Sequence, residues 1–138
     1  MYLNDLNEAQ KALTLDLLLH AMPEERRKSP EGRSRILRYC GEMGISPRFA
    51  PLLDENVALQ QLTEISSTVT MRKVFVEMAM LAISDTDYEK LGREFTDRYA
   101  ALTGFRQGGF DEVVHLIEEI TCACQRLDEL VSRPGRAQ

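Results

Sequence analysis

No apolar run in this sequence reaches the roughly 20 residues that a membrane-spanning helix needs. The opening MYLNDLNEAQ is acidic and polar, without the basic start and apolar core of a secretory leader. Cysteine is scarce and odd in number, and Cys40, Cys122 and Cys124 outline no disulfide framework. These absences together predict a reducing, cytoplasmic setting. Positive charge is also short: the net charge of −5 works against nucleic-acid or anionic-membrane binding, which both need a positive field. There is no glycine-rich phosphate loop, no nucleophile elbow and no His–Cys–Asp constellation. The expectation is therefore a non-enzymatic protein, with no catalytic, cofactor-binding or metal-ligating residue assigned.

What is present is helical. The chain is 43% hydrophobic and 28% charged over 138 residues, enough to bury one core without staples. Residues 5–22 are apolar around nearly the whole helical wheel, as a central helix would be, and Pro23 closes them. PEERRKSPEGR reads as a polar loop. Ser29, Pro30 and Glu31 supply an N-cap, a first-turn proline and a first-turn acid. Ile36, Tyr39, Cys40 and Met43 then share a face, and Gly44 offers a left-handed stop. Ser46 and Pro47 predict a short helix to about Leu53. A further amphipathic piece covers 56–66, with Leu59, Leu62 and Ile65 on one side.

The second half runs similarly. Residues 69–83 form another strongly apolar helix, and Thr86 with Glu89 has the form of a capping box. Tyr88, Leu91, Phe95, Tyr99 and Leu102 follow helical spacing up to Gly104. A long final helix lines up Phe110, Val113, Val114, Ile117, Ile120, Cys124, Leu127 and Leu130. RYCGEMGI (38–45) and RYAALTGF (98–105) share Arg-Tyr-x4-Gly-apolar at an offset of sixty. The prediction is an all-α bundle of six to seven helices built from two repeated helical hairpins. It is one domain over 1–131, with the repeat at about 5–49 and 69–131 and a loose tail at 132–138. Leu13, Leu17, Phe75, Met78, Phe95, Tyr99 and Ile117 are expected in the core.

YLNDLN, the leucine-rich first helix, YCGEMGI and KVFVEMAMLAISDTDYEKLGREF, taken in this order, resemble the tellurite-resistance TerB-like domain over roughly residues 2–130. The resemblance implies an all-helical bacterial or phage domain with an internal repeat, found in stress-response and membrane-associated systems. It also implies an acidic turn after each apolar helix, for which metal binding has been proposed. Asp85 stands at the family's aspartate, with Thr86 in place of its glycine. In the first repeat Pro23 and Glu24 lie near the corresponding positions.

Two acids sit inside apolar helices: Asp16 in LDLLLHAM and Glu77 in VEMAMLAI. One reading makes each the mark of an exposed strip, Asp16 beside His20 and Glu77 beside Lys73. The other makes them partly buried carboxylates paired with Arg38 and Arg98, because an unpaired acid there would be too costly. Asp85, Asp87 and Glu89 are hard oxygen ligands of the kind calcium or magnesium takes, and equally suited to capping a helix. His20 and His115 read as boundary residues. Cys122 and Cys124 point about 200° apart, one expected in the core and one outside it. The methionines read as core filling.

The basic stretch is the most unusual feature. Arg26, Arg27, Lys28, Arg33, Arg35 and Arg38 face only Glu24, Glu25 and Glu31, a local +3 that leaves −8 for the rest. It is either a solvated loop or a contact for an anion or acidic partner. The expected function is a bacterial helical interaction module, stress-related and binding a protein partner. The alternative is a divalent-metal binding or sensing domain using Asp85, Asp87 and Glu89. A homo-oligomer stays open.

Overall fold

Asn7 opens the first helix with a reciprocal cap: its side chain accepts from the Gln10 amide while the Gln10 side chain accepts from the Asn7 amide. The computed structural model describes residues 1–84, Tyr99, Thr103, Gly104 and 107–135. All regular structure among them is helical: a 3-10 turn at Leu3–Asp5, then α1 (Glu8–Ala21), α2 (Glu24–Lys28), α3 (Pro30–Met43), α4 (Glu55–Glu64), α5 (Thr68–Ser84) and α6 (Gln107–Ser132). The fold is an all-α bundle, as the periodicity predicts.

Helix α1 is its centre. Every residue from Leu13 to Leu19 is buried, and the helix packs against α3, α4 and α5. Burying each of these leucines is worth about 2 kcal/mol. Ile36, Cys40 and Met43 close the core from α3, Ala58, Leu59 and Leu62 from α4, and Val74, Phe75 and Met78 from α5. Leu13, Leu17, Phe75, Met78, Tyr99 and Ile117 are all core residues as expected, whereas Phe95 lies outside the described residues. Met22, Met43, Met71 and Met78 are buried, in keeping with their reading as core filling.

The stop and start signals of α3 act as their residue types require. Ser29 accepts from the Gly32 amide, and Pro30 occupies the first turn. Gly44 ends the helix at φ 67°, its amide reaching back toward the Cys40 and Gly41 carbonyls. Gly104 also has a positive φ, 65°.

Three local expectations differ from the structure. Residues 24–28, read as loop, form the short helix α2: Glu24 and Glu25 fall in its first turn and Arg26, Arg27 and Lys28 in its last, so every charge favours the helix dipole. Residues 46–53, read as a helix, are irregular. Pro47 and Pro51 remove two amide donors there and push the residues before them toward extended backbone. Ile65 is exposed at the C-cap of α4 instead of packing with Leu59 and Leu62.

The final helix departs further. Its N-terminal part is tied to the body: Ile117 is buried, and Val113 and Val114 pack against the core, while Ile120, Thr121 and Cys124 line a cavity of about 370 Å³ with Arg35, Arg38 and Tyr39 of α3. Ile120, Leu127 and Leu130, expected on the buried face, are exposed, and every residue from Cys122 to Gly135 is exposed. Amphipathic spacing tells which face is apolar, not what covers it. Among the described residues no helix is long and apolar enough to cross a membrane.

Candidate interaction site

The irregular segment after α3 is held in place from below. Asp16, 2% exposed, receives the Arg48 guanidinium and the amides of Leu52 at 2.9 Å and Leu53 at 3.2 Å. Arg48 also donates to the Ala12 carbonyl at 2.9 Å and the Ala50 carbonyl at 3.2 Å. His20 contacts the Leu53 carbonyl at 2.7 Å. A segment without its own hydrogen-bond ladder thus has its backbone satisfied by side chains of α1.

This anchoring brings Phe49 and Ala50 beside the basic end of the molecule. Arg27 donates to the Met22 carbonyl at 3.2 Å and the Phe49 carbonyl at 3.3 Å, which joins α2 to the segment. The Arg33 guanidinium lies over the Phe49 ring, 4.2 Å from its centroid. Glu24, Arg27, Lys28, Arg33, Phe49 and Ala50 line a cleft of about 360 Å³. Three cations and one acid give it a positive character in a chain whose net charge is −5. Lys28 sits 3.1 Å from Glu24, and this hydrogen bond holds the Glu24 carboxyl below the usual carboxylate range. The cleft therefore combines an aromatic surface with cationic donors at its rim, the residue types enriched where proteins meet.

The two acids are buried, and the exposed-strip reading is overturned for both. Asp16 pairs with an arginine, but with Arg48; Arg38 is exposed on α3. Glu77, 3% exposed, accepts from the Tyr2 amide at 2.6 Å and lies 2.9 Å from the Met1 ammonium. Its expected neighbour Lys73 pairs with Asp5 at 3.1 Å instead. Arg98, the other expected partner of Glu77, lies outside the described residues. The wheel correctly placed each acid beside its i±4 neighbour, but a chain end and a distant loop claimed the carboxylates first.

Asp85, Asp87 and Glu89 also lie outside the described residues. Among the described residues no group of three or more His, Cys, Asp or Glu side chains is placed to share a metal ion. His115 is exposed on α6, 3.2 Å from Glu119. Cys122 and Cys124 are both exposed, contrary to the expectation that one is core: the inward-facing Cys124 borders an open cavity with Arg35, Arg38 and Tyr39 instead of close-packed side chains. Cys40 is buried, and burial pushes its thiol up. Phe49 was not among the residues the sequence singled out. Its only signal is an aromatic following Arg48 in a proline-flanked segment, which carries no periodicity. Comparison with protein-family models, with curated proteins and with solved structures finds no match.

Proposed function

We propose that this chain is a non-enzymatic helical interaction module, of the kind its resemblance to TerB-like domains implies, and that it binds an acidic segment of a protein partner. The observation that carries this reading is the cleft where Arg33 lies over Phe49 beside Arg27 and Lys28. An acidic side chain entering it meets guanidinium and ammonium donors, and an apolar neighbour on the same peptide meets the phenyl face. The −8 carried by the rest of the chain repels other acidic approaches and steers such a segment toward this end.

The test is fluorescence anisotropy with a labelled Glu/Asp-rich peptide carrying one leucine. Saturable binding that weakens as salt rises, and is lost in Arg33→Glu, supports the reading. Absence of binding at low salt, or binding untouched by Arg33→Glu, refutes it.

A further inference from the structure

Faces of three helices converge on the cavity between α3 and α6, and none of them fills it. Helix α3 contributes Arg35, Arg38, Tyr39 and Glu42, which the helical repeat sets on one side. Helix α5 contributes Glu77 and Met80, one turn apart, and α6 contributes Ile120, Thr121 and Cys124. The lining is divided by chemistry. Met80, Ile120 and Cys124 form an apolar wall, whereas the α3 side is charged or hydroxylated. At about 370 Å³ the cavity falls within the roughly 300–1,000 Å³ of small-molecule sites, which pair apolar walls with a few polar groups.

Those polar groups are not equally available. Glu42 and Glu77 both hold the Met1 ammonium, at 2.5 and 2.9 Å, and Glu77 also accepts from the Tyr2 amide at 2.6 Å. The Thr121 hydroxyl donates to the Ile117 carbonyl at 3.0 Å. The Arg38 guanidinium and the Tyr39 hydroxyl, by contrast, have no hydrogen-bond or ion-pair partner among the described residues. Both are donors at neutral pH. The guanidinium is always charged, and burial pushes the Tyr39 phenol up to about 12, so it keeps its proton.

We propose that this cavity binds a small monocarboxylate with an apolar body, the carboxylate held by Arg38 and the Tyr39 hydroxyl and the body against Met80, Ile120 and Cys124. A guanidinium and a hydroxyl that both lack an acceptor are matched by an anion, and a carboxylate suits the guanidinium fork. An ammonium ligand would find both carboxylates taken and the arginines repelling it. A phosphate dianion would bring a second negative charge into a space shared with Glu42 and Glu77. A neutral apolar molecule would gain nothing from Arg38. A single negative charge on an apolar body meets all of these conditions.

The cavity shares no residue with the cleft around Phe49, so either reading can fail alone. The probe is hexanoate, set against hexanol, hexylamine and hexyl phosphate, and the reporter is Cys124. In the Cys122→Ser chain Cys124 is the one accessible thiol, because Cys40 is buried. Saturating hexanoate is expected to slow its reaction with N-ethylmaleimide several-fold and to shift the amides of Tyr39, Thr121 and Cys124. Hexanol and hexylamine are expected to protect far less at the same concentration. Arg38→Gln, at an exposed position, and Tyr39→Phe are each expected to weaken hexanoate about tenfold, with circular dichroism unchanged. No protection of Cys124 at millimolar hexanoate, equal protection by hexanol, or protection undiminished in Arg38→Gln overturns the proposal. Stronger protection by hexyl phosphate than by hexanoate overturns the single charge and with it the ligand class.

Discussion

Asp16 on α1 and Arg48 in the segment after α3 form a buried ion pair across 32 residues of sequence, completed by the Leu52 and Leu53 amides. The pair does two things at once. It makes a carboxylate tolerable among leucines, and it fixes the segment that carries Phe49 to the basic cleft. Removing one partner of such a pair is worse than never having had it, because the other stays buried and charged. Arg48→Met is expected to cost about 2–4 kcal/mol, toward the lower side for a buried pair because Arg48 keeps some solvent contact. Urea unfolding measures this. The same variant is expected to weaken the acidic peptide although Arg33, Arg27 and Lys28 are intact; full retention of peptide affinity would separate the anchor from the cleft.

Gly32 is required by space. A Cβ built there would lie 1.7 Å from the Arg26 carbonyl oxygen, at the junction where α2 meets α3. Gly32→Ala gains helix propensity yet forces the two helices apart, and is expected to destabilise by about 1–3 kcal/mol. A thermal melt at or above the wild-type midpoint would contradict this contact.

Burial pushes the Tyr39 phenol up to about 12, against which the nearby Arg35 and Arg38 charges pull only weakly. The unfolded phenol ionises near 10. Between about pH 10 and 12 the unfolded chain therefore loses this proton first, and stability falls through that window; below it Tyr39 contributes no pH dependence. The ultraviolet titration of wild type minus that of Tyr39→Phe should show a midpoint near 12. A midpoint at 10 would mean the ring is solvated.

Phe75 is 1% exposed on α5 and belongs to the same core as Leu17 and Met78. Phe75→Ala is expected to cost roughly 3–5 kcal/mol, whereas Val69→Ala on the exposed start of α5 stays within about 0.5 kcal/mol. Equal effects at the two positions would mean that the burial pattern of α5 is rotated.

Local signals were legible in the sequence: Ser29 and Pro30 at the start of α3, Gly44 at its end, and the all-round apolarity that puts α1 at the centre. They depend on neighbours a few residues away. The fate of Asp16 and Glu77 depends on groups far along the chain, Arg48 and the Met1–Tyr2 backbone, and helical spacing holds no record of either. The cleft was half legible. The run of Arg26, Arg27 and Lys28 stood out by charge, but Phe49 sits in a segment shaped by Pro47, Pro51 and the reach of Asp16, with no period to read. Leu127 and Leu130 show the converse: their pattern was clear, and only the fold shows that the rest of the described chain does not cover them.

Amide chemical-shift mapping with the same Glu/Asp-rich peptide tests the central claim most directly. The account predicts saturable shifts concentrated at residues 27–33 and at Phe49 and Ala50, collapsing in Arg33→Glu. Shifts spread over the acidic remainder of the chain, or none at low salt, would contradict it.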